Sequence, residues 1–296
     1  MITEPGIYNL SMEEYQKDPC EVPSLSRGII KLLVSECPAK AYFAHPRFNP
    51  DIIEENKRSW DLGTVVHSLL LEGIDIAEPL NFDNWRTSAS KDAAAKSREK
   101  GKIPLLVKDY DGALLVVESA KEQLAKSELG ITSLQAEGYS EQSCFWKEGD
   151  TWIRIRPDWR SSDNSIIIDL KTTSLSADPG SYVRQILSAG GDIQAYLYQR
   201  GIKKLTKKSP AFVFVVVEME PPYLCSFISL NPQFMELGKS KVKEGIAKWE
   251  YCIASGEWVG YPNRIAYLDA PPWALSQWEE RRLIGQIAEQ NGIMPF

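Results

Sequence analysis

Apolar residues recur at helical spacing in the first part of the chain and at strand-like spacing beyond about residue 136. The helical periodicity predicts helices over residues 28–34, 60–72 and 109–127. Ser24 or Ser26 is expected to cap the first of these helices, and Pro38 to mark its end. Gly73 is a stop signal for the second helix.

Strand-like runs follow one another closely in the next part of the chain. They occupy residues 139–147, 151–156 and 165–171. Gly149 and Asp150 separate the first pair and residues 161–164 separate the second, and links this short favour an antiparallel meander. A continuous apolar run at residues 211–217 predicts a fully buried strand, with residues 224–230 as its hairpin partner.

Two further helices are predicted in the second half of the chain. One spans residues 182–200 and is closed by Gly201, and the other spans residues 234–255 and ends at Gly256. The tail beyond Gly256 is rich in Trp and Pro and is expected to be irregular. Strands that alternate with helices in this way predict an α/β fold, in which a mixed central β-sheet is flanked by helices.

The 296 residues are expected to form a single domain, 1–296, with three parts. Residues 1–135 form the mainly helical N-terminal part, residues 136–230 the sheet core, and residues 231–296 the C-terminal helix and irregular tail. The lysine-rich segment 81–106 keeps three interpretations: an arm that lines a channel, a mobile loop, or ordinary surface.

Composition suggests the cellular setting. Hydrophobic residues make up 43% of the chain and charged residues 25%, as in ordinary globular proteins. The five cysteines are scattered without a C-x-x-C pair, which favours neither a disulfide framework nor a zinc site. A cytoplasmic protein is expected, because the N-terminus lacks the features of a signal peptide. No membrane partner is expected, since the longest apolar runs are too short to span a bilayer.

The net charge of −6 argues mildly against a nucleic-acid partner, because phosphate binding needs local positive potential. Carboxylates gathered around a metal ion contribute to such a net charge, while the ion restores the local balance. Two basic runs are either solvated surface or contacts to nucleic acid. They consist of Lys91, Lys96, Arg98, Lys100 and Lys102, and of Lys203, Lys204, Lys207 and Lys208.

The strongest chemical signal is Asp169-Leu170-Lys171 at the end of an apolar strand. Because side chains alternate along a strand, Asp169 and Lys171 point to one face and Leu170 to the other. Asp158 follows the run at residues 151–156. If that run pairs with residues 165–171 as a hairpin, Asp158 and Asp169 meet at one end of the sheet.

Glu141, on the neighbouring predicted strand, could supply a third carboxylate. Oxygen ligands of this kind suit Mg²⁺, with Mn²⁺ as a substitute. Hydrolysis of a phosphodiester by a metal-activated water would use such a cluster, and Lys171 could orient that water or stabilise the developing negative charge. Alone, an Asp-x-Lys triplet is more often an ordinary pair at a strand end.

Three more residues have two interpretations each. His67 lies among apolar residues of a predicted helix, so it is either a core histidine or a metal ligand, and Gly63 would permit close approach of that helix to the sheet. Gln194 and Tyr198 share one helical face, because they are four residues apart. That pair either contacts a DNA phosphate or covers the edge of the sheet.

These residues occur in a characteristic order. The ordered set is His67, Glu141, Pro157-Asp158, Asp169-Leu170-Lys171-Thr172-Thr173 and Gln194-x-x-x-Tyr198. It resembles the exonuclease VIII (RecE-like) branch of the PD-(D/E)XK nucleases, which is typical of phages and prophages and related to lambda exonuclease. The likeness covers nearly the whole chain, including Leu62-Gly63-x-x-x-His67 and Trp258-x-Gly260-Tyr261.

The resemblance implies a role for each residue of the set. His67, Asp158, Asp169 and the Leu170 backbone carbonyl would bind metal, and Glu141 would assist them as part of the acidic cluster. Lys171 would act on the attacking water, and Gln194 with Tyr198 would contact DNA. Relatives that carry an iron–sulfur cluster hold it with cysteines placed differently, so no such cluster is expected here.

The same resemblance implies degradation of linear double-stranded DNA from its ends, 5′ to 3′. The 3′ overhangs would pass to a single-strand annealing (RecT-like) recombinase, and the chain would form a homo-oligomer, in some relatives a ring. Two alternatives are a structure-specific endonuclease on the same core and a non-catalytic DNA-binding or scaffold protein. A small-molecule enzyme is disfavoured, because the sequence lacks nucleotide-binding glycine motifs.

Overall fold

The computed structural model describes residues 1–50 and 58–290. Its strands are β1 (Gly6–Tyr8), β2 (Leu25–Ser26), β3 (Ala77–Leu80), β4 (Ile103–Leu106), β5 (Gly138–Ser140), β6 (Ser143–Glu148), β7 (Thr151–Ile155), β8 (Trp159–Ser161), β9 (Ile166–Thr173), β10 (Ala211–Glu218) and β11 (Cys225–Ile228). Its helices are α1 (Met12–Gln16), α2 (Arg27–Ser35), α3 (Pro38–Ala44), α4 (Arg58–Leu71), α5 (Ser88–Glu99), α6 (Val107–Lys126), α7 (Leu134–Glu137), α8 (Pro179–Ala189), α9 (Gly191–Thr206), α10 (Pro232–Ser255) and α11 (Pro272–Gln290).

A five-stranded sheet forms the centre of the first compact unit, Met1–Gly260. Its strand order is β11-β10-β9-β8-β5, with β9 and β10 parallel and the other neighbours antiparallel. The sheet is therefore mixed, as predicted. The buried strand expected at residues 211–217 is β10, and its predicted hairpin partner is β11.

Helices cover both faces of this sheet, which is why β10 reads as an unbroken apolar run. Phe212, Phe214 and Val216 belong to the hydrophobic cluster that includes α2, α9 and α10. The alternate residues of β10 belong to a second cluster, with α4 and α6. Two helical layers around a mixed sheet confirm the predicted α/β fold.

A second sheet of four strands has the order β1-β6-β7-β2. The predicted hairpin around Gly149 and Asp150 is present, because β6 and β7 pair antiparallel. The predicted pairing of residues 151–156 with residues 165–171 is wrong. The first of these runs, β7, lies in the four-stranded sheet, whereas β9 pairs with the short strand β8 in the other sheet.

The helices predicted at residues 28–34, 60–72, 109–127 and 234–255 correspond to α2, α4, α6 and α10. Ser26, and not Ser24, caps α2, and its hydroxyl accepts from the backbone N–H of Ile29. Pro38 does not merely follow the end of α2 but occupies the first turn of α3, where proline loses no hydrogen bond.

The single helix predicted over residues 182–200 is wrong. The chain breaks into α8 and α9 at Gly190, which has a left-handed φ of 75°. Gly201 does not close a helix but lies inside α9. A Cβ atom at Gly201 would come within 2.5 Å of the ring of Trp146 on β6. Glycine therefore permits close packing of α9 on the four-stranded sheet.

Two segments contain structure that the sequence pattern did not predict. In the range 81–106 the chain forms α5 and then β4, which pairs in parallel with β3. The tail is not irregular throughout: α11 occupies much of the second unit, Tyr261–Phe296. Within residues 1–50 and 58–290, no helix has the length and apolar character that would be needed to cross a membrane.

Candidate active site

The two aspartates of the motif meet at the end of strands β8 and β9. Asp158 immediately precedes β8, whose Trp159 pairs with Ile168 of β9. The backbone N–H of Leu170 donates to Asp158 Oδ2 at 2.8 Å. The structure therefore brings Asp158 beside the Asp169-Leu170-Lys171 triplet as the sequence predicted, although the strand that does so is a different one.

Helix α4 brings His67 to the same place. His67 Nε2 lies 3.1 Å from Asp158 Oδ2, and Nδ1 lies 3.5 Å from Glu141 Oε1. Glu141 is not on a strand, as had been predicted, but in the break between β5 and β6, where its φ is 54°. Its backbone N–H donates to the carbonyl of Asp158 at 3.1 Å, which fixes the turn beside the site.

His67, Glu141 and Asp158 form a group that could hold a metal ion. One ligand atom from each lies within 4.8 Å of the other two. A ring nitrogen and two carboxylate oxygens, on a surface that water and phosphate can reach, suit Mg²⁺ or Mn²⁺. The predicted metal ligands His67 and Asp158 therefore lie together. Glu141 was predicted only to assist them, but it is near enough to be a ligand itself.

Asp169, the other predicted side-chain ligand, is held by neighbours within the chain. Its side chain is 1% exposed, against 29% for His67 and 31% for Lys171. The Gln194 side-chain amide donates to Asp169 Oδ1, and the Lys171 ammonium pairs with Oδ2. The site opens to solvent on the side of His67 and Lys171, with Asp169 behind them.

The crowded carboxylates shift one another's pKa. Burial and the negative charge of Asp158 raise the pKa of Asp169 to about 6, and the same two causes raise the pKa of Glu141. Burial would also raise the pKa of Asp158, but the hydrogen bond and charge of His67 lower it. Each ionised carboxylate in this cluster makes ionisation of the next one less favourable. A bound cation reduces that repulsion, so the cluster is suited to binding one.

The neighbouring carboxylates favour the protonated forms of His67 and Lys171. Burial alone would lower the pKa of each, but the hydrogen bond that the His67 ring donates to Asp158 and the negative charges of Asp158, Glu141 and Asp169 raise the pKa of His67. The charges of Asp169 and Asp158 similarly raise the pKa of Lys171. The core-histidine interpretation of His67 is therefore not supported, since its ring faces two carboxylates and solvent.

Gln194 and Tyr198 lie on one face of α9, as their spacing predicted, and both are buried. Gln194 contacts Asp169, so it acts on the site from within the protein. Tyr198 packs edge to face with Phe212 of the central sheet. The contact of this pair with DNA stays a prediction.

Sequence reasoning missed two arginines near the site. Arg156 Nε donates to Glu141 Oε2 at 2.7 Å, and its Nη1 donates to Ser143 Oγ at 2.8 Å. Arg156 directly precedes Pro157-Asp158, a signal that could have been noticed. Arg27, in the first turn of α2, contributes positive charge that slightly opposes the rise in the pKa of Asp169 and of Lys171.

Several members of the two basic runs are already paired within the chain. Arg98 contacts the buried Asp61 of α4 at 2.5 Å, and Lys100 contacts Glu78 at 3.0 Å. Lys204 pairs with Glu148 at 3.2 Å. These three cations are thus part of the fold, and they favour the surface interpretation for their own positions.

Residues 27–271 match the family model described as "PDDEXK-like domain of unknown function (DUF3799)". The chain belongs to this family. The match spans the site residues of this PDDEXK-like domain together with strands β3 to β11. It confirms the class predicted from the ordered motif set, and the mixed sheet with flanking helices agrees with it.

Two solved structures resemble this PDDEXK-like domain. One, from Eubacterium rectale and described as a "Putative exonuclease", has 14% identity and a TM-score of 0.58, over 91% of this chain and 98% of that chain. This likeness shows the fold alone. An alkaline exonuclease from Laribacter hongkongensis has 12% identity and a TM-score of 0.27, over 67% of this chain and 95% of that one. No curated protein matches the sequence.

Proposed function

We propose that this nuclease-type domain is a Mg²⁺-dependent exodeoxyribonuclease that degrades linear double-stranded DNA from its ends, 5′ to 3′. One observation carries the proposal: His67, Glu141 and Asp158 converge beside the Asp169–Lys171 pair on one open edge of the sheet. A decayed nuclease fold has no chemical reason to keep three acidic groups, a histidine and an ammonium together, which disfavours the scaffold alternative.

The donor set defines where a divalent cation fits. His67, Glu141 and Asp158 would hold it, with Asp169 adjacent and the Leu170 carbonyl as the further ligand implied by the resemblance. A bound Mg²⁺ or Mn²⁺ supplies charge neutralisation at the scissile phosphate and an acidified water. Burial and the negative charge of Asp158 raise the pKa of both Glu141 and Asp169. A cation bound beside them would favour their ionised forms, which supports this site.

The protein groups around that position have separate tasks. Lys171 presents an ammonium that orients the attacking water or stabilises negative charge on the phosphate oxygens. Gln194 fixes one oxygen of Asp169, which directs the other oxygen towards Lys171. Arg156 holds Glu141 through its second oxygen, so that the first oxygen faces His67.

Dependence on DNA ends and a role in recombination come from the resemblance to RecE-like nucleases. The description of the Eubacterium rectale protein is consistent with an exonuclease. In this proposal the 3′ overhangs pass to a single-strand annealing (RecT-like) protein, and the working form is a homo-oligomer. An endonuclease on the same core is the alternative, and it differs in whether circles are cut.

The first test compares linear duplex with covalently closed circular DNA, in Mg²⁺ and in EDTA, with 5′- and 3′-labelled strands. Loss of linear DNA that needs Mg²⁺ and releases the 5′ label first, with circles spared, is expected. Cleavage of circles would replace the exonuclease by the endonuclease. Tight DNA binding without cleavage of either form would support the scaffold instead.

A variant pair links any cleavage to the assigned residues. Lys171→Ala is expected to lower cleavage of linear duplex by about 10²–10³-fold, because an electrostatic donor at the reacting phosphate is lost. Lys243→Ala changes an exposed lysine of α10, outside the site and both basic runs, and should leave cleavage unaltered. Full activity of the Lys171 variant would show that the site is wrongly assigned.

A further inference from the structure

A cleft of about 630 Å³ opens beside the acidic site. Gly63 and His67 of α4 form part of one wall, and Lys171 and Thr172 at the end of β9 form part of the other. Ligand-binding clefts in proteins have volumes of roughly 300–1,000 Å³. Because His67 and Lys171 both line this cleft, a molecule that occupies it lies against the site.

The hydroxyl of Thr172 is available in this cleft. Among the residues that the structure describes, it has no hydrogen-bond partner, whereas the hydroxyl of the next residue, Thr173, accepts from the backbone N–H of Leu175 at 3.0 Å. A hydroxyl in a cleft that Lys171 also lines is a suitable donor for an anionic oxygen. Hydroxyl side chains and lysines are common partners of phosphate oxygens in protein–DNA contacts.

Gly63 determines whether this hydroxyl can be reached. A Cβ atom at position 63 would lie 2.9 Å from Thr172 Oγ1, which is closer than real Cβ contacts come. Any larger residue would press on the hydroxyl and displace it or cover it. The missing side chain on α4 therefore leaves Thr172 open towards the cleft.

The cleft is open to solvent, and its volume is large enough for a short stretch of one DNA strand. A strand that lies in it contacts His67, Lys171 and Thr172 together.

We propose that Thr172 is a substrate-binding residue, whose hydroxyl donates to a phosphate oxygen of a single DNA strand in this cleft, and that Gly63 keeps the hydroxyl accessible. This inference rests on the proposed nuclease function and adds the residue that holds the strand beside the reacting phosphate.

Binding without catalysis tests the proposal. The affinity for a fluorescent single-stranded oligonucleotide is measured in EDTA by anisotropy, for the wild type, Thr172→Val and the matched variant Thr206→Val. In the wild type the Thr206 hydroxyl donates to the Ile202 backbone carbonyl at the end of α9. We expect about a tenfold weaker affinity for Thr172→Val, as for loss of a hydrogen bond to a charged group. Thr206→Val should bind like the wild type.

Further variants separate binding from folding. Thr172→Ser restores a hydroxyl and should recover most of the affinity, while Gly63→Ala should weaken it in the same direction as Thr172→Val. In steady-state cleavage, Thr172→Val should raise KM more than it lowers kcat. Competition with inorganic phosphate tests whether the cleft recognises a free anion and not a DNA strand. Displacement of the oligonucleotide by phosphate at an equal concentration would contradict the proposal, and retention of the oligonucleotide would support it.

The outcomes distinguish this inference from the function on which it rests. If Thr172→Val binds the oligonucleotide as tightly as the wild type while cleavage continues, the role of Thr172 is overturned and the nuclease function stands. If the wild type cleaves no DNA but Thr172→Val still loses affinity, the nuclease function fails and the strand-binding role survives.

Discussion

Asp169 shows how far local sequence reasoning reaches at the scale of single residues. Its relation to Lys171 follows from strand alternation, so the pair could be predicted from two positions in the sequence. Its second partner could not, because Gln194 lies 25 residues further along, on a helix whose position depends on packing. Arg156 and Glu141 illustrate the same limit: each is visible in the sequence, but their contact forms only in the fold.

Replacing Gln194 by Ala should impair the site more than DNA binding. The buried Asp169 would lose a donor, and leaving a buried acceptor unsatisfied costs about 1–3 kcal/mol. We expect lower stability in urea unfolding and a fall in kcat with KM nearly unchanged. The control is Gln199→Ala on the same helix, which removes a side-chain amide hydrogen bond to the Pro210 backbone carbonyl. A rise in KM with unaltered kcat would favour the interpretation of Gln194 as a DNA contact.

His45 is the second histidine of the chain and is fully buried away from the site. Its Nδ1 accepts from the Arg47 backbone N–H at 3.2 Å, which leaves Nε2 to donate to the Ser24 carbonyl at 2.9 Å. Both ring nitrogens are therefore satisfied in the neutral form. Burial, with smaller effects of Arg154 and Arg47, lowers the pKa of His45 to about 4, against the opposing charge of Asp18.

This shift predicts a pH-dependent contribution to stability. In the unfolded chain His45 has a pKa of about 6.5, so the unfolded state binds more protons between that value and pH 4. The free energy of unfolding should fall as pH falls through this window, by up to about 1.4 kcal/mol per unit, and the histidine should have no such effect above it. Urea unfolding of the wild type and His45→Gln at pH 7, 6 and 5 measures this: the wild type should lose more stability than the variant. Parallel losses would contradict the prediction.

At the scale of elements, patterns identified the helices and strands better than their partners. β10 was predictable because six successive apolar residues can be buried only where helices cover both faces of a sheet. The assignment of β7 and β9 to different sheets was not, because the three-residue strand β8 is too short to show a period. The break at Gly190 was hidden by helical periodicity on both of its sides.

The packing of α10 on α9 gives a prediction at this scale. A Cβ atom at Gly238 of α10 would lie 2.2 Å from the carbonyl oxygen of Asp192, so Gly238→Ala must push the helices apart. We expect a destabilisation of about 1–3 kcal/mol, as for other overpacked sites. Gly112→Ala, in α6 with no atom near its Cβ position, should instead stabilise by up to about 1 kcal/mol. Equal effects of the two substitutions in urea unfolding would refute the close approach.

Several separate elements of the first unit assemble the site. His67 comes from α4 and Glu141 from the break between β5 and β6, while Asp158 and Asp169 lie at the same end of the β8–β9 pairing. These four residues span 103 of the 296 positions, so a ligand that binds this group stabilises the fold that brings distant segments together. These carboxylates contribute to the net charge of −6. A bound cation reduces the repulsion among them, so cation binding affects the stability of the folded chain.

Divalent cations should therefore raise the melting temperature of the protein without any DNA present. At a metal concentration of 100 times Kd, binding to the folded state alone contributes about 2.7 kcal/mol, which corresponds to about 5 °C for a chain of this size. Glu141→Gln keeps the shape of the side chain but removes one charged ligand, so the shift caused by Mg²⁺ or Mn²⁺ should shrink. Glu236→Gln changes an exposed carboxylate that pairs with Lys239 and should leave the shift intact. Because each variant is compared with and without metal, differences in metal-free stability cancel. An equal shift in the wild type and Glu141→Gln would mean that the cation binds elsewhere on this acidic chain.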